Sequence, residues 1–137
     1  MTDRTMLQFD YAEIHGETVT AVLGERLYDA PGWWSIAVLL GARALVLRVD
    51  ENTDEIIATR ETDPQRRDGW APPTMGYWEP VTALAAAVGS RLGWCWVGRN
   101  YLGYLDMFTL SFDGLEPQFC FVGMASQLEI RRIAAIA

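Results

Sequence analysis

Leu92-Gly-Trp-Cys-Trp-Val-Gly-Arg-Asn-Tyr-Leu-Gly-Tyr-Leu-Asp-Met-Phe-Thr-Leu-Ser-Phe112 is the stretch that decides the fold. Leu92, Trp94 and Trp96 are expected to point one way and Cys95 and Val97 the other, while Phe108, Leu110 and Phe112 share a face. A period of two belongs to strands, because successive side chains leave a pleated backbone on opposite faces. The alternation continues at Phe119 and Phe121 and at Leu128 and Ile130, with Asp113-Gly114 and Glu116-Pro117 as turn signals between the runs. The last third is therefore predicted as four antiparallel strands.

Working towards the N-terminus, Ala44 to Val49 and Trp33 to Leu40 read as strands reversed at Gly41-Ala42-Arg43. Asp50 to Asp54 forms a polar turn, and Glu55 to Arg60 resumes a short strand. Thr18 to Tyr28 carries β-branched residues around Gly24, which marks an expected bulge. Connections this short exclude parallel crossovers, so these strands form an antiparallel meander. Leu7, Tyr11 and Ile14 have helix-like spacing. Pro80 near a first turn, an alanine-rich middle and Gly89 just past the end predict one short helix. The expected fold is one α+β domain over residues 1–137, a meander-rich antiparallel sheet of seven or eight strands with one or two short helices.

Half of the 137 residues are hydrophobic and 21% are charged, enough for a core and too apolar for a disordered chain. Eleven basic residues, all arginine, face 18 acidic ones for a net charge of −7, which argues against binding nucleic acid through its phosphates. The start of the chain carries no apolar run of signal-peptide length, and Trp33–Leu40 is too short to span a bilayer, so a cytoplasmic protein away from the membrane is expected. Cys95 and Cys120 lie in apolar runs and read as buried, reduced thiols.

No motif for catalysis stands out. Asp50-x-Asn52-x-Asp54 with Glu61 has calcium-loop spacing, but Glu55 stands where the loop's sharp turn requires glycine. His15 is the single histidine, with no partner signature nearby. Phosphate-binding glycine loops and nucleophile elbows are missing from the sequence. No catalytic residue, metal or cofactor is expected. What does stand out is aromatic and acidic. Arg99, Tyr101, Tyr104 and Asp106 surround a turn built on Asn100 and Gly103, with Arg99 placed to pair with Asp106. Asp50, Glu51, Asp54 and Glu55 concentrate negative charge in one turn. Trp70, Tyr77 and Trp78 punctuate the Pro/Gly-rich residues 61–79, a long connection of the kind that serves function.

The pattern Trp94-x-Trp96-x-x-x-Asn100-x-x-Gly103-Tyr104-x-Asp106, followed by Phe112, Pro117, Phe119 and Ala125-Ser126, resembles a family of short bacterial proteins of unknown function. The resemblance covers the last third of the chain and implies a small strand-rich fold. Some acidic chains of this kind act as immunity proteins, so the resemblance implies a protein partner and supplies no catalytic residue. The leading expectation is a non-enzymatic acidic binding protein that neutralises a protein partner such as a basic toxin. Acidic charge would speed its encounter and aromatic anchors would hold it. The alternative is a small-molecule-binding domain or unrecognised enzyme with residues 61–79 as a lid. Self-association into a homodimer through an exposed strand edge is the third reading.

Overall fold

The computed structural model describes residues 7–26, 31–62 and 77–136. Among these residues nine strands alternate with turns: β1 (Ala21–Arg26), β2 (Ser35–Leu40), β3 (Arg43–Val49), β4 (Ile56–Thr62), β5 (Tyr77–Pro80), β6 (Leu92–Gly98), β7 (Met107–Phe112), β8 (Phe119–Met124) and β9 (Gln127–Arg132). They form two antiparallel sheets, one ordered β4-β3-β2-β1-β5 and the other β6-β7-β8-β9.

The pleat explains the core. In the first sheet Ile36, Val38, Leu45, Leu47, Val49 and Ile56 project to one face, and in the second Phe108, Leu110, Phe112, Phe119 and Phe121 do the same. These side chains are buried in one shared apolar cluster with Val22, Trp33, Leu84 and Leu128. Trp33 joins the layers, exchanging backbone hydrogen bonds of 2.9 and 2.6 Å with Leu128 of β9. On the far face of the first sheet a smaller cluster, Ala37, Ala44 and Val46, packs with Leu39 and Trp78.

The structure corrects the expected α+β class. Nearly all the regular structure is antiparallel sheet, and no α-helix occurs among the described residues. The predicted helix after Pro80 is a 3-10 segment, Thr82–Ala87, distorted at Leu84 (φ −109°, ψ 16°). Its buried residues explain why. Val81, Leu84, Ala87 and Ser90 recur every three positions, the repeat of a 3-10 helix, whose side chains eclipse at i and i+3. Packing on that stripe outweighs alanine's preference for the α conformation. The helix-like spacing near the N-terminus likewise yields only a 3-10 turn, Tyr11–Glu13, capped by Asp10.

Two finer expectations also change. Gly24 pairs in regular register with Ile36 and is no bulge; a Cβ there would run into the Trp33 ring. The bulge lies at Gly93-Trp94, where the register slips between Leu92 and Cys95. It moves Leu92 to the core face while Trp94 and Trp96 stay on the outer one, so the three do not share a face.

Close approach between the layers generates a stability test. Gly123 lies so near the Asp54 carbonyl oxygen that an added Cβ would collide with backbone, whereas Gly114 has open space around it. Gly123→Ala should cost about 2–4 kcal/mol in urea unfolding. Gly114→Ala should stay within about 0.5 kcal/mol of the parent.

Candidate functional site

Two of the sequence-predicted patches meet at one end of the molecule. The β3–β4 turn is an Asx turn, with Asp50 Oδ1 accepting from the Asn52 amide at 2.8 Å and Asp50 O accepting from the Asp54 amide at 2.8 Å. Asp54 adopts φ 60°, a left-handed conformation that aspartate tolerates better than most residues. Its Oδ1 then accepts from the Ser126 amide at 2.7 Å, and Ser126 Oγ donates to Glu51 O at 3.0 Å. Glu55 Oε2 accepts from the Leu105 amide at 3.2 Å, while Leu105 O accepts from the Ile56 amide at 2.8 Å. The acidic turn is thereby tied to both the β6–β7 and β8–β9 connections. Three of its four acids, Asp50, Asp54 and Glu55, hold backbone amides; the Glu51 side chain faces solvent. Glu61, at the calcium-loop spacing, pairs instead with Arg48 and accepts from Thr59 Oγ1 at 2.9 Å on the outer face of the first sheet.

The β6–β7 connection is built on Asn100. Its amide donates to Tyr104 O at 2.9 Å, its carbonyl accepts from Gly103 N at 2.9 Å, and its Oδ1 accepts from the amides of Leu102 (2.9 Å) and Tyr104 (3.2 Å). Nδ2 donates to Asp106 Oδ2 at 3.0 Å, and Arg99 Nη1 donates to Gly103 O at 3.2 Å. Gly103 supplies the left-handed residue, φ 88°, that closes the loop. At the tip of this hydrogen-bonded loop Tyr101 is 96% exposed and Leu102 64%.

Other sequence-predicted residues lie elsewhere. Trp78 packs on the outer face of the first sheet, and Tyr77 pairs its backbone with Arg26 in β5. Trp70, and with it most of the suggested 61–79 lid, lies outside the described residues. The cysteines are free thiols on opposite faces of the second sheet, since Cys95 pairs with Leu110 and Cys120 with the adjacent Thr109.

Sequence reasoning missed the outer face of β6 and β7 as a candidate surface. Trp94 (53% exposed), Trp96 and Met107 lie there, joined by Val122 and Met124 of β8. The usable signal was Trp94-x-Trp96-x-Gly98 beside the bulge glycine. Beside Trp94 an open hollow of about 320 Å³ is lined by Tyr11, Ala12, His15 and Cys95. Tyr11 donates its hydroxyl to Gly93 O at 2.9 Å. Burial, with a smaller contribution from Cys95, pushes the Tyr11 hydroxyl far above its ordinary value, and burial raises the Cys95 thiol to about 11. A neutral thiol and a pinned phenol make a poor nucleophile and a poor base at neutral pH.

The whole chain, residues 1–137, matches DUF6334, a family of unknown function, and the chain belongs to it. That match extends well beyond the C-terminal third that carried the resemblance. No curated protein and no solved structure matches the chain.

The raised pKa values set an alkaline limit. The folded chain keeps protons on Tyr11 and Cys95 that the unfolded chain sheds at their ordinary values of 10.0 and 9.0. Their contribution to stability is complete below pH 9.0 and declines as pH rises towards the Cys95 value of about 11 and beyond. Urea midpoints should fall across this alkaline range, and Tyr11→Phe should flatten the fall above pH 10.0. An unchanged slope in that variant would contradict the assignment.

Proposed function

We propose that this member of DUF6334 is a non-enzymatic binding protein that engages a protein partner through the Asn100-built tip of the β6–β7 hairpin. The carrying observation is Tyr101, 96% exposed beside an exposed Leu102 on a loop whose backbone is fixed by Asn100. An aromatic anchor held in place before encounter loses little conformational freedom on binding, and tyrosine is enriched among the residues that dominate interface energies. The neighbouring acidic turn reaches the base of this loop through Glu55 and Leu105. With seven more acidic than basic residues in the chain, the protein attracts cationic partners during diffusion. A basic toxin neutralised by an immunity protein fits this chemistry, as does any partner offering an apolar pocket rimmed by arginine or lysine.

The test starts by replacing Tyr101 with a photo-crosslinking phenylalanine analogue in the cells that make the protein, and identifying what is captured. With that partner purified, Tyr101→Ala should weaken binding by about 2 kcal/mol, roughly 30-fold, without changing the unfolding midpoint. Leu102→Ala should act in the same direction, and added salt should slow association. Undiminished affinity in the double variant would remove the tip from the interface.

A further inference from the structure

The four edges of the two sheets are not protected alike. A bare edge is a template for another strand, and proteins blunt such edges with charge, proline or cover. β4 has the Gln8 amide bonded to Ala58 O at 3.0 Å and Arg60 paired with Glu13. β5 ends in Glu79 and Pro80. β9 is crossed by Trp33 at Leu128 and carries Glu129, Arg131 and Arg132. β6, Leu-Gly-Trp-Cys-Trp-Val-Gly, holds neither charge nor proline.

Among the described residues only its first half is covered. Leu92 exchanges 2.8 Å hydrogen bonds with Gly16 and Glu17, and Gly93 O accepts from Tyr11. Further along, Leu110 turns its carbonyl towards β8, where it accepts from Gln118 N at 3.0 Å. Its register partner Cys95 is therefore in a non-hydrogen-bonded pair, and Cys95 and Val97 aim their N–H and C=O groups away from β7. No partner meets those groups among the described residues.

We infer that β6 pairs antiparallel with β6 of a second copy of this chain, with Trp96 on the two-fold axis, making one continuous sheet across a homodimer. This register is self-complementary. Cys95 of one chain and Val97 of the other exchange both hydrogen bonds, and the symmetric pair does the same, so each open donor and acceptor is satisfied. Trp96 stands opposite its own copy. Trp94, 53% exposed, falls opposite Gly98, which has no side chain to obstruct an indole and leaves its own strand short of packing. The charge distribution favours a copy over a basic partner here. Two chains of net charge −7 meet along a strand without a single ionised side chain, and the acidic turn is held off that strand, tied to Leu105 in the β6–β7 connection. The dimer goes beyond the partner-binding reading and does not require it, since Tyr101 lies outside the paired strand.

Sedimentation of the full chain across a dilution series should show a dimer that dissociates to monomer. Val97→Pro removes the outward N–H from each chain without touching a β7 hydrogen bond, and should weaken dimerisation roughly 30-fold or more. Its circular dichroism should match the parent. Trp96→Cys tests the register independently of that fold. Residues directly opposite in such a pair have Cα atoms about 4.5 Å apart, within disulfide reach. Mild oxidation should therefore convert Trp96→Cys, but neither the parent nor Tyr101→Cys, to a covalent dimer. A monomer at every concentration overturns the inference, including one that captures another protein's strand. So does a dimer indifferent to Val97→Pro, or a Trp96→Cys chain that stays reduced. Tyr101→Ala should leave the dimer intact, so loss of partner binding and loss of dimerisation read out separately.

Discussion

Alternate residues along the central strands of two antiparallel sheets build one apolar layer, and the rest of the structure follows from it. Phe108, Phe112 and Phe121 from one sheet meet Ile36, Leu45 and Leu47 from the other, all essentially without solvent contact. Burying side chains of this size stabilises the fold by roughly 1.5–3 kcal/mol each. A slip of one residue in any strand would turn its apolar set outward, so register is held by the same force that holds the layers together.

Connections must conform to that layer even where their own conformations are unfavourable. The β8–β9 turn places Ala125 and Ser126 at φ 52° and 63°, a region that residues with a Cβ enter at a cost. Asp54 and Glu51 hold this turn from the opposite sheet through the Ser126 amide and hydroxyl. The acidic turn therefore serves first as a clamp between hairpins. Its position beside an exposed tyrosine is a consequence of that clamping, which is why the electrostatics and the recognition loop occupy one end.

Exposure is distributed in a way the core does not demand. A sandwich can cover its edges cheaply with charge, and three of the four here are managed with charge, proline or crossing backbone. Among the described residues nothing covers the apolar second half of β6, and the loop beyond it fixes its backbone while leaving two large apolar side chains in water. The two surfaces lie on one hairpin, the loop at its tip and the open half of β6 along its side.

Period-two alternation made most of the strands legible from the residues alone, as did the reversals at Gly41 and after Val49. The Asn100 loop and the acidic turn were visible as unusual segments because asparagine, glycine and aspartate favour tight turns for local reasons. Helix content was not legible. The alanine-rich segment after Pro80 has α propensity, but its three-residue burial stripe is imposed by the sheets it packs against. Nor could the sequence place Leu92 and Trp94 on opposite faces, because the bulge between them depends on how Gly93 settles against Ser111 and Gly114. Local chemistry chose strands and turns. Which acids became clamps, which tryptophans met water and which edge stayed open were decided by long-range packing, because each depends on residues dozens of positions away along the chain.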